Sequence, residues 1–301
     1  MDNTENKSSA IISQRDAFER GYLRDEVAPL PAEACQFCGK SLYWEGTLLC
    51  GKWIRIPRIE RCPCKESAER WKVLDEISAK QTKEEELKAQ QRRDRERIQF
   101  LLGESGMGKR FYDRTFDNFQ KSTPLKRDAW NTAMWYATHF EDRLKDGKGM
   151  IFIGPYGTGK THLAAAISLY LIRAKFYRVI FKNSYELFAD VRKSYNENAL
   201  LTEYDVLTAF KNCDLLVIDD LGKEKCTEWS MSVLYDIMNY RYEHMKPVMI
   251  TTNYTFNGLV GALTPFDGSG DRIRAIISRF EQTAYSFTMN FNDYRKQKEG
   301  T

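Results

Sequence analysis

At 301 residues, 42% of them hydrophobic and 13% aromatic, the chain has the length and apolar content for one α/β domain of ordinary size plus a smaller module. Its longest nearly apolar run, Leu163 to Ile172, is too short to cross a bilayer, and the polar opening Met1-Asp-Asn-Thr-Glu-Asn-Lys lacks the apolar stretch of a signal peptide, so the expectation is a cytoplasmic protein with no membrane partner. The net charge of +4 is too small to announce nucleic acid, but Lys40, Lys52, Arg55, Arg58, Arg61 and Lys65 against Glu45 and Glu60 concentrate the basic excess between Cys35 and Lys65.

Residues 1–30 read as a polar segment with a short helix around Ser13 to Arg24. Residues 31–66 hold Cys35, Cys38, Cys50, Cys62 and Cys64, five of the seven cysteines. In a reducing compartment such clustering favours metal over disulfides. Cys35-x-x-Cys38 followed by Gly39 has the form of a zinc knuckle, and Cys62-Pro-Cys64 supplies a second close pair. Four thiolates can close a tetrahedral Zn²⁺ site, giving a short segment the folding energy its small core lacks. Five candidates compete for four positions; the two close pairs are favoured, because each presents both sulfurs from one turn, with Cys50 as the alternative. Cys213 and Cys226 read as ordinary, partly buried thiols.

Residues 67–110 form a charged, helix-prone linker without proline, and its apolar positions Trp71, Leu74, Ile77 and Leu87 thin out too early for a coiled coil. Gly103-Glu-Ser-Gly-Met-Gly-Lys109-Arg110 imitates a phosphate loop, but Arg110 stands where Ser or Thr is needed and no buried strand precedes it, so it reads as a linker turn.

The remainder, 111–301, follows a βα rhythm. A helix from about Leu125 to Leu144 leads into a strand at Gly149 to Ile153, and further strands are expected at Arg178–Phe181, Asp214–Asp219, Pro247–Thr251 and Ala284–Met289, separated by helices. This alternation predicts a parallel sheet covered on both faces.

Gly154-Pro155-Tyr156-Gly157-Thr158-Gly159-Lys160-Thr161 matches G-x-x-x-x-G-K-[ST] at every fixed position and lies between the first strand and a helix, as the motif requires. Glycines let the backbone approach phosphates, and the helix N-terminus offers unpaired N–H groups. Lys160 would reach the β- and γ-phosphates of ATP, and Thr161 would ligate Mg²⁺. The run Leu215-Leu-Val-Ile-Asp219-Asp220 aims two acids at the sheet's C-terminal edge. Asp219 would hold Mg²⁺ and Asp220 would polarise the attacking water. Asn253, closing Ile250-Thr-Thr-Asn, could touch the γ-phosphate or orient the water. Arg272, Arg274 and Arg279 share a predicted helix, and one of them could stabilise charge on a neighbouring subunit's phosphoryl group. Lys182, Lys193 and Arg241 are available as cations for DNA. Lys52-Trp53-Ile-Arg55-Ile-Pro-Arg58 has a basic and aromatic mix that could stack on bases, or could simply be a hairpin of the zinc module.

From Phe111 to Arg295 the sequence resembles the AAA+ ATPases of the DnaC/DnaI helicase-loader group and the related IstB transposition ATPases. The resemblance rests on Arg114-Thr-Phe-Asp-Asn-Phe119, the phosphate loop, Asp219-Asp-Leu-Gly222, Thr251-Thr-Asn253, Ser278-Arg279 and Asp293-Tyr-Arg295. It implies a P-loop core with a five-stranded parallel sheet, Arg279 as an arginine finger acting in trans and Arg295 as a sensor arginine. The N-terminal zinc module joined to that core resembles DnaI-like and phage-encoded loaders. The expected activity is slow, DNA-stimulated ATP hydrolysis that loads a hexameric, DnaB-type helicase onto single-stranded DNA, with self-association through the ATP site. Two other readings stay open: a transposition helper that assembles on duplex DNA with a transposase, and a zinc-dependent nucleic-acid adaptor whose ATP site is only structural.

Overall fold

The computed structural model describes residues 11–23, 28–50, 52–196, 199–223, 227–265 and 270–291. The chain divides into two compact units, Met1–Arg92 and Arg93–Thr301.

In the first unit, β1 (Ile11–Ser13) leads into α1 (Gln14–Glu19), capped by the Ser13 hydroxyl. This helix is shorter than the Ser13–Arg24 expected; Gly21 turns the chain at φ +71°, and Arg24 lies outside the described residues. β2 (Glu33–Ala34) and β3 (Ser41–Leu42) form a small antiparallel ladder around the first cysteine pair. β4 (Trp44–Leu49) and β5 (Lys52–Ile59) make a hairpin that β1 extends to three strands. The Lys52–Arg58 run is therefore a hairpin strand. Trp53 is tied down by its indole N–H donating to the Ile12 carbonyl at 3.3 Å, and Arg55 lies 3.8 Å over the Trp44 ring. After Cys64 a single 40-residue helix, α2 (Lys65–Glu104), begins.

The second unit begins at Arg93, within α2, which ends at Glu104. Ser105 and Gly106 turn the chain, and a short 3₁₀ turn follows at Lys109–Phe111, so the imitation phosphate loop is a turn. Its Ser105 carbonyl accepts the Phe181 N–H at 2.8 Å. The single helix expected from Leu125 to Leu144 is two: α3 (Pro124–Thr138) and α4 (Phe140–Asp146), broken at His139, whose ring contacts the Trp135 carbonyl at 2.9 Å. Then come β6 (Gly149–Ile153), α5 (Lys160–Lys175), β7 (Val179–Asn183), α6 (Ser184–Lys193), α7 (Glu203–Asn212), β8 (Leu215–Asp219), α8 (Glu228–Glu243), β9 (Val248–Thr252), α9 (Phe256–Leu263), α10 (Asp271–Thr283) and β10 (Ala284–Thr288).

These five strands form one parallel sheet in the order β10-β6-β9-β8-β7. β6, β8 and β9 are buried at every residue, which is why Met150–Ile153, Leu215–Ile218 and Val248–Ile250 read as apolar runs without alternation. Successive residues still serve opposite faces. Met150, Phe152, Leu215 and Val217 pack on the α3/α5 side, while Ile151, Ile153, Leu216 and Ile218 pack against α6–α10. The chain leaves β6 toward one edge and returns through β10 on its other side, so the loop after β6 opens at a topological switch point, where open α/β sheets bind ligands.

Candidate functional site

The sheet order makes the site. β9 lies between β6 and β8, so the phosphate loop, the two acids and Asn253 leave adjacent strands at one edge. The loop from Gly154 to Gly159 ends at α5, whose first turn carries Lys160 and Thr161. Gly159 adopts φ +93°, and a Cβ there would stand 2.9 Å from the Phe119 ring, so both backbone and space demand glycine. Gly154 runs so close to the Met289 carbonyl that a Cβ would meet it at 2.3 Å.

Lys160 is buried, and its ammonium donates to the Gly154 carbonyl at 2.7 Å, the Pro155 carbonyl at 2.8 Å and Asn253 Oδ1 at 2.8 Å. The sequence placed Lys160 and Asn253 in one site 93 positions apart, and the structure puts them in contact. Asp219 is 5% exposed and accepts Thr161 Oγ1 at 2.9 Å. Its second donor is the Thr251 hydroxyl, which in turn accepts the Asp220 N–H at 2.8 Å. Burial pushes the Asp219 carboxyl up to about 6, against the pull of these hydroxyls and with the push of the Asp220 charge. A buried carboxylate beside a threonine hydroxyl, on a helix N-terminus, fits a hard divalent cation: all its donors are oxygen, and a cation would offset the desolvation. Asp220 sits at φ +58° and engages Lys223, which also lies 5.0 Å over the Tyr156 ring.

A cleft of about 690 Å³ spreads from the phosphate loop. Its lining includes Tyr156–His162, Asp219, Asp220 and Lys223, and also Arg110, Phe111, Arg114, Asn118 and Phe119 from the segment ahead of α3 and Lys126 from the first turn of α3. His162 bridges the two parts: its Nε2 contacts the Thr115 carbonyl at 2.9 Å and its ring meets Phe119 edge-on. Burial lowers the pKa of that imidazole.

Arg279 lies elsewhere. It sits near the end of α10, and β10 then starts opposite Gly149 at the N-terminal end of β6. A cleft of about 350 Å³ there is lined by Gly149, Val248, Asn239, Tyr242 and Arg279 among others. Five strand residues, roughly 16 Å at the usual rise, separate this edge from the phosphate loop, so Arg279 cannot serve its own chain's site. Arg272 and Arg274 are exposed, bonded to Ser232 and Asp271. Arg295 and Cys226 lie outside the described residues. Arg241, read above as available for DNA, is instead fully buried: its guanidinium donates to the carbonyls of Phe210, Lys211, Cys213 and Pro247 at 2.7–3.1 Å. Lys182 and Lys193 both pair with Asp190.

Thr251 went unassigned in the sequence reading. The available signal was two threonines, Thr251 and Thr252, at the end of a strand with no room for water, since a buried hydroxyl must find a partner.

In the first unit, one sulfur from each of Cys35, Cys38, Cys62 and Cys64 lies within 4.8 Å of the others. Cys35 and Cys64 are 3.8 Å apart and Cys38 and Cys62 3.4 Å. Tetrahedral zinc with four thiolates at about 2.3 Å sets sulfurs about 3.8 Å apart, so the donor set fits zinc. Backbone N–H groups of Cys38 and Phe37 lower the Cys35 thiol to about 7. At Cys62 the Cys64 N–H favours the thiolate, but burial and the neighbouring sulfurs outweigh it and push the thiol up to about 12. Cys50 is exposed and outside the group.

Residues 75–300 match the family described as IstB-like ATP binding protein. The chain is 33% identical over 174 residues to the phage-like element PBSX protein XkdC of Bacillus subtilis (strain 168), covering 54% of this chain and 63% of that relative. It is 27% identical over 205 residues to the replicative helicase loader DnaC of Buchnera aphidicola subsp. Baizongia pistaciae, covering 68% of this chain and 78% of the loader. The crystal structure of the DnaC helicase loader superposes with a TM-score of 0.51 at 25% identity, covering 60% of this chain and 99% of that one. The second unit thus has the AAA+ fold expected, with its five-stranded parallel sheet.

Proposed function

This chain belongs to the IstB-like ATP-binding protein family, and within it we propose that the protein couples ATP hydrolysis to loading a hexameric, DnaB-type replicative helicase onto single-stranded DNA. The observation that carries this choice is the four-cysteine cluster in a basic segment ahead of the ATPase core, which resembles the N-terminal zinc module of DnaI-like and phage-encoded loaders. We assign 31–66 to a zinc-binding module, 67–110 to a helical linker and 111–301 to the ATPase domain.

Lys160 would leave its loop carbonyls for the β- and γ-phosphates, and Thr161 and Asp219 would hold Mg²⁺, which neutralises phosphate charge when bound. Asp220 polarises the attacking water and Asn253, already bonded to Lys160, orients it. Arg279 is lent to a neighbouring subunit and Arg295 acts as the sensor arginine, so ATP binding promotes self-association. Turnover is slow and rises with single-stranded DNA.

The test is ATP hydrolysis by the full chain with and without single-stranded DNA and a cognate helicase, beside size-exclusion analysis of the mixture. A helicase complex with DNA-stimulated turnover supports the loader. ATP-dependent assembly on duplex DNA without a helicase complex would move the protein to the transposition reading, and no hydrolysis in any condition would leave a nucleic-acid adaptor.

A further inference from the structure

The edge of the sheet opposite the phosphate loop carries a polar side-chain arrangement around Arg279. Arg279 donates to the Oδ1 of Asn239, on the last turns of α8, and its guanidinium lies 5.2 Å over the Tyr242 ring. The Asn239 amide is itself oriented: its Nδ2 donates to Glu243 Oε1 at 2.8 Å, which leaves the carbonyl oxygen as the group that faces Arg279. The Arg279 backbone is fixed as well, since its carbonyl accepts the Thr283 hydroxyl at 2.9 Å.

Long guanidinium side chains lose rotamer freedom when they bind, and holding one in place beforehand removes part of that cost. An amide oxygen and an aromatic face can do this without cancelling the charge, whereas a carboxylate in Asn239's place would pair with the guanidinium and compete with phosphate. The half-buried Arg279 lines a cleft that opens at the surface beside Tyr242, which is 40% exposed. We infer that Asn239 and Tyr242 are positioning residues that hold Arg279 extended toward the γ-phosphate of ATP bound to a second copy of this chain. This rests on the proposal that Arg279 acts in trans.

The experiment mixes two inactive chains. Arg279→Ala keeps an intact phosphate site but offers no finger; Lys160→Ala has a dead site but an intact finger. Mixing them should restore ATP hydrolysis at the shared interface. A Lys160→Ala donor that also carries Asn239→Leu or Tyr242→Leu should restore at least tenfold less, while one carrying Tyr242→Phe, which keeps the ring, should restore it nearly in full. In the otherwise wild-type chain, Asn239→Leu should lower kcat about tenfold and leave both KM for ATP and the melting temperature unchanged, because its own phosphate site lies at the other edge; a general loss of structure would lower the melting temperature. Restoration by Asn239→Leu and Tyr242→Leu donors equal to that of the Lys160→Ala donor would overturn the positioning role while leaving the trans finger intact. Failure of Lys160→Ala itself to restore activity would remove the trans finger, and the positioning role with it.

Discussion

Single side chains show how far spacing carries an inference and where it stops. Lys160 and Thr161 can be proposed from the motif in its strand–loop–helix context, and Asp219 because paired acids after a strand, ambiguous alone, gain meaning from following a phosphate loop in the same α/β unit. Thr251 cannot, since its meaning lies in β9 standing between β6 and β8, which no spacing records. Its hydroxyl holds Asp219 and receives the Asp220 N–H at once. Thr251→Val should therefore cost about 1–3 kcal/mol in chemical denaturation, the usual penalty for stranding a buried polar group, and weaken Mg²⁺-dependent nucleotide binding. Unchanged stability and affinity would show that Thr251 is dispensable. Arg241 illustrates the opposite error. An arginine on a helix reads as solvated, yet this one gathers carbonyls from the end of α7 and from Pro247. Arg241→Ala should destabilise the second unit by about 3–5 kcal/mol, by loss of a large buried side chain and the hydrogen bonds of several carbonyls. A change below 1 kcal/mol would contradict that role.

Whole elements were more legible than their ends. All five strands of the parallel sheet fall within a residue or two of where the sequence places them: β6, β8 and β9, buried on both faces, announce themselves as apolar runs, whereas β10 is legible by its alternation. The break at His139 has no proline or glycine to mark it in the sequence. Spacing left five cysteines for four positions; in the structure both close pairs converge and Cys50 stays outside the group. The core around them is small, with Cys35, Leu42 and Cys62 buried beside Ile59, so most of the folding energy should come from metal. Elemental analysis should find one zinc per chain, retained in Cys50→Ser and lost in Cys62→Ser, and a chelator should unfold the first unit. A chelated chain that keeps its β2–β3 ladder by NMR would refute a structural metal.

The whole molecule is two units with different chemistry, one built on thiolates and basic strands, the other on phosphate recognition. Each is signalled in the sequence by a short local motif, the paired cysteines in one and the phosphate loop in the other. Their joint purpose is less legible, because a loader and a transposition helper can share the same ATP site and differ in what they grasp. The most direct measurement is unwinding of an oligonucleotide annealed to a closed single-stranded circle by a cognate replicative helicase, with this protein supplied in trans. The account predicts that unwinding requires the protein and ATP and is lost with Lys160→Ala. Unwinding that proceeds equally without the protein, or equally well with Lys160→Ala, would contradict ATP-dependent helicase loading.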